Sequence, residues 1–151
     1  MDHPVYMLLL DEYRQVSDSV SYGGQLFTFH EQRLSWPEAA SVCRSLGGYL
    51  AIVNNMELAM FLAVSHTRFD EGTEYGDVWI GGRLKNKKWI WKATGEVIPD
   101  TVPPWTPEKR NNDNHNCLTF SNDNSQPHFI NKECTNLQSF LCQKGNINNC
   151  N

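Results

Sequence analysis

The sequence predicts a single α+β domain in which two helices pack on antiparallel strands and one long loop is irregular. Three observations carry this prediction: short runs with the alternation of half-buried strands, two helical patterns that begin at capping signals, and one long stretch rich in Gly, Pro, Asn and Asp. A chain of 151 residues with 40% hydrophobic and 20% charged residues is long enough to bury one core. We expect an N-terminal arm over 1–24, the domain over 25–144 and a polar tail over 145–151.

Charge and composition argue against several classes of function. A formal net charge of -4 provides no basic excess for binding nucleic acid. The apolar run from Val5 to Leu10 is too short to span a bilayer, and with no basic segment before it and Asp11 and Glu12 after it, it does not resemble a secretory signal. An export signal would therefore lie outside this chain or have been removed. No hydrolase, metalloprotease, P-loop or dinucleotide motif is present, so we predict no enzyme activity.

The first half of the domain alternates strands and helices. The segment 25–30 has the alternation of a strand, and Ser35-Trp-Pro-Glu38 is a capping box that opens a helix. Gly47-Gly48 ends that helix. Its inward face is expected to consist of Ala39, Val42, Cys43 and Leu46.

A second strand and a second helix follow. We expect a strand over 49–53, and capping by 54–57 begins the next helix. The apolar face of this helix carries Leu58, Phe61, Leu62 and Ser65. The segment 78–82 reads as a buried strand in which Gly81 and Gly82 allow close backbone approach.

The second half contains a hairpin, the long loop and the closing strands. Leu84, Trp89 and Trp91 flank the turn 85–88, which predicts a hairpin with an aromatic face. Residues 94–116 form an irregular loop of unusual length, and this makes the loop the candidate functional element. The remaining strands are expected at 117–120, 129–130 and 140–143.

The cysteines favour an oxidised framework over free thiols. The chain has 5 cysteines, at 43, 117, 134, 142 and 150, and no CxxC pair. The four that lie in the patterned region allow three pairings, and spacing alone does not choose between them. A framework of this kind is typical of an extracellular protein.

Taken together, these residues resemble the C-type lectin-like domain. The matching motifs occur in the family's order and run from about Leu26 to Lys144. They are Ser35-Trp36, Glu38-Ala39, Cys43, Gly47-Gly48-Tyr49-Leu50-Ala51, Trp79-Ile80-Gly81-Gly82, Cys117, Cys134 and Phe140-Leu141-Cys142.

The resemblance implies a fold, a disulfide pairing and a class of function. The fold has two helices packed on two small antiparallel sheets, with a long ligand-binding loop. Cys43 would pair with Cys142 and Cys117 with Cys134, whereas Cys150 has no counterpart and is either free or available for a disulfide-linked dimer. The implied function is recognition of a glycan or glycoprotein outside the cell. A domain that has lost sugar binding and recognises protein is the alternative.

The resemblance also identifies positions that hold calcium in sugar-binding members. Glu108 aligns with the first acid of the family's Glu-Pro-Asn motif, but Lys109 and Arg110 follow it. His115 replaces a second acid, and Phe129-Ile130-Asn131 stands where the family has Trp-Asn-Asp. Calcium requires six to eight oxygen ligands, so we expect its site, reduced to Glu108 and Asn131, to be weak or empty.

The loop remains rich in oxygen atoms that could contact a ligand. The candidate ligand-binding residues are Glu108, Asn111, Asn112, Asp113 and Asn131, and Asn114 would belong to an irregular metal site. Each of these loop residues is also explained by ordinary turn chemistry.

Other constellations are weaker. His115, Cys117, His128 and Cys134 could form a zinc site, but their spacing matches no common zinc module. Cys43 as a nucleophile is disfavoured by its apolar helix face. The basic cluster Arg83, Lys85, Lys87, Lys88 and Lys92 is either a solvated turn or a face for an anionic ligand. Trp36, Trp79, Trp89 and Trp91 are expected in the core, and the role of Trp105 is left open.

Overall fold

A computed structural model of the chain describes residues 18–70, 75–100, 104–105 and 114–145. These residues form helices α1 (Trp36–Ser45) and α2 (Met56–Asp70). The strands are β1 (Ser19–Tyr22), β2 (Gln25–Leu34), β3 (Tyr49–Leu50), β4 (Val78–Lys85), β5 (Lys88–Trp91), β6 (Cys117–Asp123), β7 (Gln126–Lys132) and β8 (Gln138–Gly145).

The strands are joined in one sheet with the order β1-β2-β8-β4-β6-β7, to which β3 adds on β8 and β5 on β4. Every pairing is antiparallel except that of β4 with β8, where Val78 and Trp79 lie beside Ser139 and Phe140. The expected α+β class is confirmed, and this short parallel pairing connects the two antiparallel groups. Among the described residues, the sheet includes Ser19–Tyr22, a segment that the sequence assigned to the N-terminal arm.

Both helices begin at the predicted capping residues. The Ser35 hydroxyl accepts a hydrogen bond from the Glu38 amide at 3.4 Å, and the Glu38 carboxylate accepts one from the Ser35 amide at 3.1 Å. At α2, the Asn55 side chain accepts a hydrogen bond from the Leu58 amide at 2.8 Å. Leu46, which was expected on the inward face of α1, is instead its C-cap residue and is 48% exposed. The helix ends one residue too early for Leu46 to reach the core.

The sheet separates two hydrophobic cores. Strand β4 alternates between them: Trp79 packs with α1, whereas Val78 and Ile80 pack in the larger core that contains α2 residues. The smaller core consists of Trp36, Ala39, Cys43, Leu50, Trp79, Cys117, Phe140 and Cys142. The four tryptophans expected in the core are all at most 5% exposed, which confirms that prediction.

Two tight backbone features follow from local sequence. The β4–β5 turn places Asn86 at φ 51° and Lys87 at φ 66°, the left-handed pair of a type I′ hairpin turn. A Cβ atom at Gly81 would lie 2.7 Å from the Leu50 carbonyl oxygen, so this crossing of β4 and β3 requires glycine, as predicted.

The predicted strand over 49–53 pairs regularly only at Tyr49–Leu50. Beyond it, the Ala51 amide bonds to the Leu141 carbonyl at 2.9 Å. The Ile52 amide donates to the Gln143 side chain at 2.8 Å instead of to a neighbouring strand. A side chain therefore replaces the missing ladder partner.

The disulfides are Cys43–Cys142 and Cys117–Cys134, as the resemblance implied. These bonds use both cysteines of the alternative zinc site and also Cys43, the candidate nucleophile. Cys150 lies outside the described residues, so the predicted disulfide-linked dimer stays a prediction. Over the described ranges, no helix is long and apolar enough to cross a membrane.

Removal of the two disulfides should destabilise the fold unequally. The Cys43–Cys142 bond closes a separation of 99 residues and the Cys117–Cys134 bond one of 17. In the chain-entropy model, loops of these sizes are worth about 4.7 and about 3 kcal/mol. We expect the double variant Cys43→Ala/Cys142→Ala to be the less stable in urea unfolding, by about 1.5 kcal/mol. Equal stability of the two double variants would contradict this account.

Candidate ligand-binding site

The long loop leaves the sheet at the end of β5 and returns to it at Cys117. Its described parts are 92–100, 104–105 and 114–116. Of the predicted ligand-binding residues, Asn131 is described, on β7. The other four lie outside the described residues: Glu108, Asn111, Asn112 and Asp113. The structure therefore describes the two ends of the loop, which we call the loop base.

Trp105 anchors the first half of the loop in the core. It is 7% exposed, and its ring packs edge-on against Trp89 and Phe129, with centroid distances of 5.0 Å and 5.6 Å. Its indole N–H donates to the Pro99 carbonyl at 3.3 Å. A side chain this enclosed stabilises the loop base and leaves little surface for a ligand to stack on, which settles the role that the sequence left open.

Main-chain hydrogen bonds extend the same attachment. The Phe129 amide on β7 donates to the Pro104 carbonyl at 2.8 Å, and the Ile98 amide donates to the Trp89 carbonyl at 2.8 Å. Short bridges pair Ile90 with Val97 and Trp105 with Phe129. The first half of the loop is thus attached to both β5 and β7.

The second half of the loop is held by Asn131 and by the disulfide at Cys117. Asn131 is fully buried, and its side-chain N–H₂ donates to the His115 carbonyl at 2.9 Å. The Asn116 carbonyl accepts a hydrogen bond from the Leu84 amide on β4 at 2.9 Å. Asn131 therefore has a defined structural role at the loop base, and its role in ligand binding stays a prediction.

Two buried polar atoms beside Cys117 have no hydrogen-bond partner within the described residues. They are Nδ1 of His115 and Oδ1 of Asn116. Leaving a buried polar group unpaired costs about 1–3 kcal/mol, so such atoms in native structures usually have a reason. Sequence reasoning did not single out Asn116, because nothing in its local pattern distinguishes it from the loop's other asparagines.

An ion pair braces the strand that carries Asn131. The Lys132 ammonium lies 2.7 Å from the Asp77 carboxylate, at the start of β4. Burial alone would raise the pKa of Asp77, but hydrogen bonds from Lys132 and Ser121, with the positive charges of Lys132 and His128, lower that pKa below its ordinary value. The carboxylate is therefore charged at neutral pH and ties β7 to β4.

The described residues fit a calcium ion poorly. At the family's ligand positions, Ile130 has no side-chain oxygen and His115 offers nitrogen, whereas calcium takes oxygen ligands. Only Asn131 among these described positions could supply a side-chain oxygen. Within the described ranges, no group of three or more His, Cys, Asp or Glu side chains is placed to hold a metal.

The sequence matches one family of known proteins. The profile of the family described as Lectin C-type domain matches residues 32–144. A C-type lectin of Cerberus rynchops is 30% identical over 128 residues, which cover 82% of this chain and 79% of that protein. A C-type lectin galactose-binding isoform of Hoplocephalus stephensii is 29% identical over 131 residues, covering 83% of this chain and 80% of that protein.

Solved structures give the same fold. Human lithostathine superposes with a TM-score of 0.73 at 23% identity, covering 85% of this chain and 98% of that one. A calcium-independent type II antifreeze protein superposes with a TM-score of 0.67 at 21% identity, covering 85% and 92%. At these identities the likeness establishes the architecture and leaves the ligand open.

Replacing Trp105 by Ala should destabilise the whole domain. Truncation of a buried tryptophan costs about 3–5 kcal/mol, and we expect the lower end because Trp105 packs at the edge of the core. Trp105→Phe should retain most of the stability, since it keeps an aromatic ring against Trp89 and Phe129. Urea unfolding measures both variants. Unchanged stability in Trp105→Ala would contradict its role in anchoring the loop base.

Replacing Asp77 by Asn should cost about 1 kcal/mol of unfolding free energy at pH 7, because a partly exposed ion pair and its hydrogen bonds are lost. The pKa of Asp77 is lower in the folded state than in the unfolded state. Its contribution is therefore complete above the unfolded pKa of about 3.9 and is lost as the pH falls through the folded pKa. The stability difference between the wild type and Asp77→Asn, measured by urea unfolding across pH, should narrow below about pH 4. A difference that stays constant with pH would contradict the assignment.

Proposed function

The chain belongs to the C-type lectin domain family, and we propose that it is an extracellular binding module that recognises a carbohydrate or glycoconjugate through its long loop. Family membership rests on the match over residues 32–144. The galactose-binding relative from Hoplocephalus stephensii supports a sugar as the ligand. The proposal is of a binding module, not an enzyme.

The observation that carries this proposal is the attachment of the loop at both ends. Trp105 holds one end in an aromatic cluster, and the Cys117–Cys134 bond with Asn131 holds the other. Between these ends lie the oxygen-rich side chains Glu108, Asn111, Asn112 and Asp113. Because the ends of the loop are already fixed, less conformational entropy is lost when the loop binds a ligand.

We propose that recognition does not depend on calcium. The side chains of Ile130 and His115 cannot supply the oxygen ligands that calcium needs at the family's positions. Lys109 and Arg110 add positive charge beside Glu108, the remaining acid. Loop oxygens and amides that hold no metal remain available to bond sugar hydroxyl groups directly.

The extracellular location is part of the proposal. It is supported by two disulfides in a chain of this size, since such bonds form and persist in oxidising compartments. The tail that contains Cys150 supplies the thiol for a disulfide-linked dimer, which we keep as a proposal.

Protein recognition through the same loop face is the second candidate. It is favoured by the same replacements at the calcium positions. A domain that does not coordinate calcium cannot bind sugars through a calcium ion, as sugar-binding members of the family do. A protein partner would be read by the shape and charge of the loop.

A glycan array with and without EDTA separates these functions. We expect glycan binding that persists in EDTA, because the donor set does not support a calcium site. Glu108→Gln should weaken that binding about tenfold, the loss expected for one hydrogen bond to a charged group. Asp123→Asn is the matched control, since it removes an exposed carboxylate in the β6–β7 hairpin, at the end of β6 away from the long loop.

The other outcomes each contradict a stated part of the proposal. Binding abolished by EDTA would mean that a calcium site forms despite the replacements. Absence of any glycan signal would favour protein recognition. Equal effects of Glu108→Gln and Asp123→Asn would remove Glu108 from the site.

A further inference from the structure

The β4–β5 hairpin has one buried aromatic face and one charged face. Leu84, Trp89 and Trp91 alternate onto the side of the larger core. The residues between them point to the opposite side, and the cations among these are all exposed. We call this surface the charged face: Arg83, Lys85, Lys88 and Lys92, with Lys87 at the turn.

The register brings like charges together on this face. Lys85 lies directly opposite Lys88, and facing side chains in an antiparallel pair have Cβ atoms about 5 Å apart. Like charges in this position are destabilising. Along β4, Arg83 precedes Lys85 by two residues on the same face, and their Cα atoms are about 7 Å apart. The result is a dense row of positive charge that folding stability alone would not favour.

No carboxylate among the described residues pairs with these cations. Within the described ranges, none of the charged-face residues lies within ion-pair distance of a carboxylate, whereas Lys132 pairs with Asp77. The concentration of positive charge stands out in a chain whose formal net charge is -4. An unpaired cluster of one sign raises the local concentration of oppositely charged ligands.

The charged face continues into a cleft beside α1. The Arg83 guanidinium lies 5.8 Å from the centre of the Trp36 ring, and Trp36 also lines the cleft. This cleft of about 170 Å³ is lined by Trp36, Arg44, Tyr49, Gly81 and Lys92, among others. Lys92 of the charged face and one further cation, Arg44, thus border a pocket that the half-buried Tyr49 ring also lines.

We propose that the charged face and this cleft form a second binding site, whose ligand is a sulfated polysaccharide. Closely spaced cations match closely spaced sulfates, and the half-buried ring of Tyr49 in the cleft suits a sugar ring. Hyaluronan, with a carboxylate only on every other sugar, matches this charge density poorly. Nucleic acid is disfavoured as the ligand, because the disulfides belong to an oxidising compartment.

The charged face lies away from the described base of the long loop. The two use opposite faces of the hairpin: Trp89 packs against Trp105 at the loop base, whereas Lys85, Lys88 and Arg83 point away from that contact. A change at the charged face should therefore leave recognition by the loop intact.

Heparin, used as the probe, tests the proposal on the full chain at about 0.1 M salt, where the screening length is about 10 Å. Each basic residue near an anionic surface strengthens binding about fivefold, so Lys85→Gln/Lys88→Gln should bind heparin about 25-fold more weakly than the wild type. The melting temperature of this variant should be unchanged or higher, because the repulsion between the opposed lysines is removed. Lower affinity without lower stability cannot be explained by unfolding.

The matched control is Arg68→Gln, which removes one exposed cation from α2, a helix that packs in the larger core and not on the side of the charged face. The single variant Lys85→Gln should lose about fivefold in heparin affinity, whereas Arg68→Gln should lose less than about twofold. Glu108→Gln should bind heparin like the wild type, so failure of the long-loop proposal is distinguishable from failure of this one. An equal loss in Lys85→Gln and Arg68→Gln would overturn the proposal, and so would an absence of heparin binding. Equal binding of hyaluronan, single-stranded DNA or phosphatidylserine vesicles would also overturn it, by making the attraction a general one for polyanions.

Discussion

Strand β4 is enclosed on both faces, and its pairing with β8, β6 and β5 positions the rest of the molecule. Trp79 enters the smaller core with α1, while Val78 and Ile80 enter the larger core, and all three are fully buried. The parallel contact with β8 joins the terminal strands to the strands that carry the long loop. The Cys43–Cys142 bond ties α1 to β8 two residues beyond this contact, so α1, β8 and β4 are held together at one place.

The hairpin that extends β4 explains how a small domain presents two different surfaces. A strand directs alternate side chains to opposite faces. The tryptophans of one hairpin can therefore pack on the side of the loop base while its lysines face solvent. The type I′ turn at Asn86 and Lys87 fixes the register that makes this separation complete. A register shift of one residue would bury the lysines and expose the tryptophans.

The base of the long loop is held by contacts between protein groups. Trp105 packs against Trp89 and Phe129, and Asn131 bonds to the chain just before Cys117. The attachment of the loop at both ends is thus built from aromatic packing, an amide hydrogen bond and a disulfide.

The sequence by itself determined the α+β class, both helix starts, the hairpin and the buried tryptophans, because capping boxes, turn residues and hydrophobic periods act over a few neighbouring residues. It also carried enough family motif to imply the disulfide pairing, which spacing alone left open. Tertiary structure decided what depends on residues far apart in the chain. The burial of Trp105 required Trp89 and Phe129, the ion pair of Lys132 required Asp77, and the truncation of the 49–53 strand required the side chain of Gln143. The two cores likewise exist only because β4 lies between β8 and β6. Contacts of this range leave no local period or spacing in the sequence, and they form only when the sheet closes.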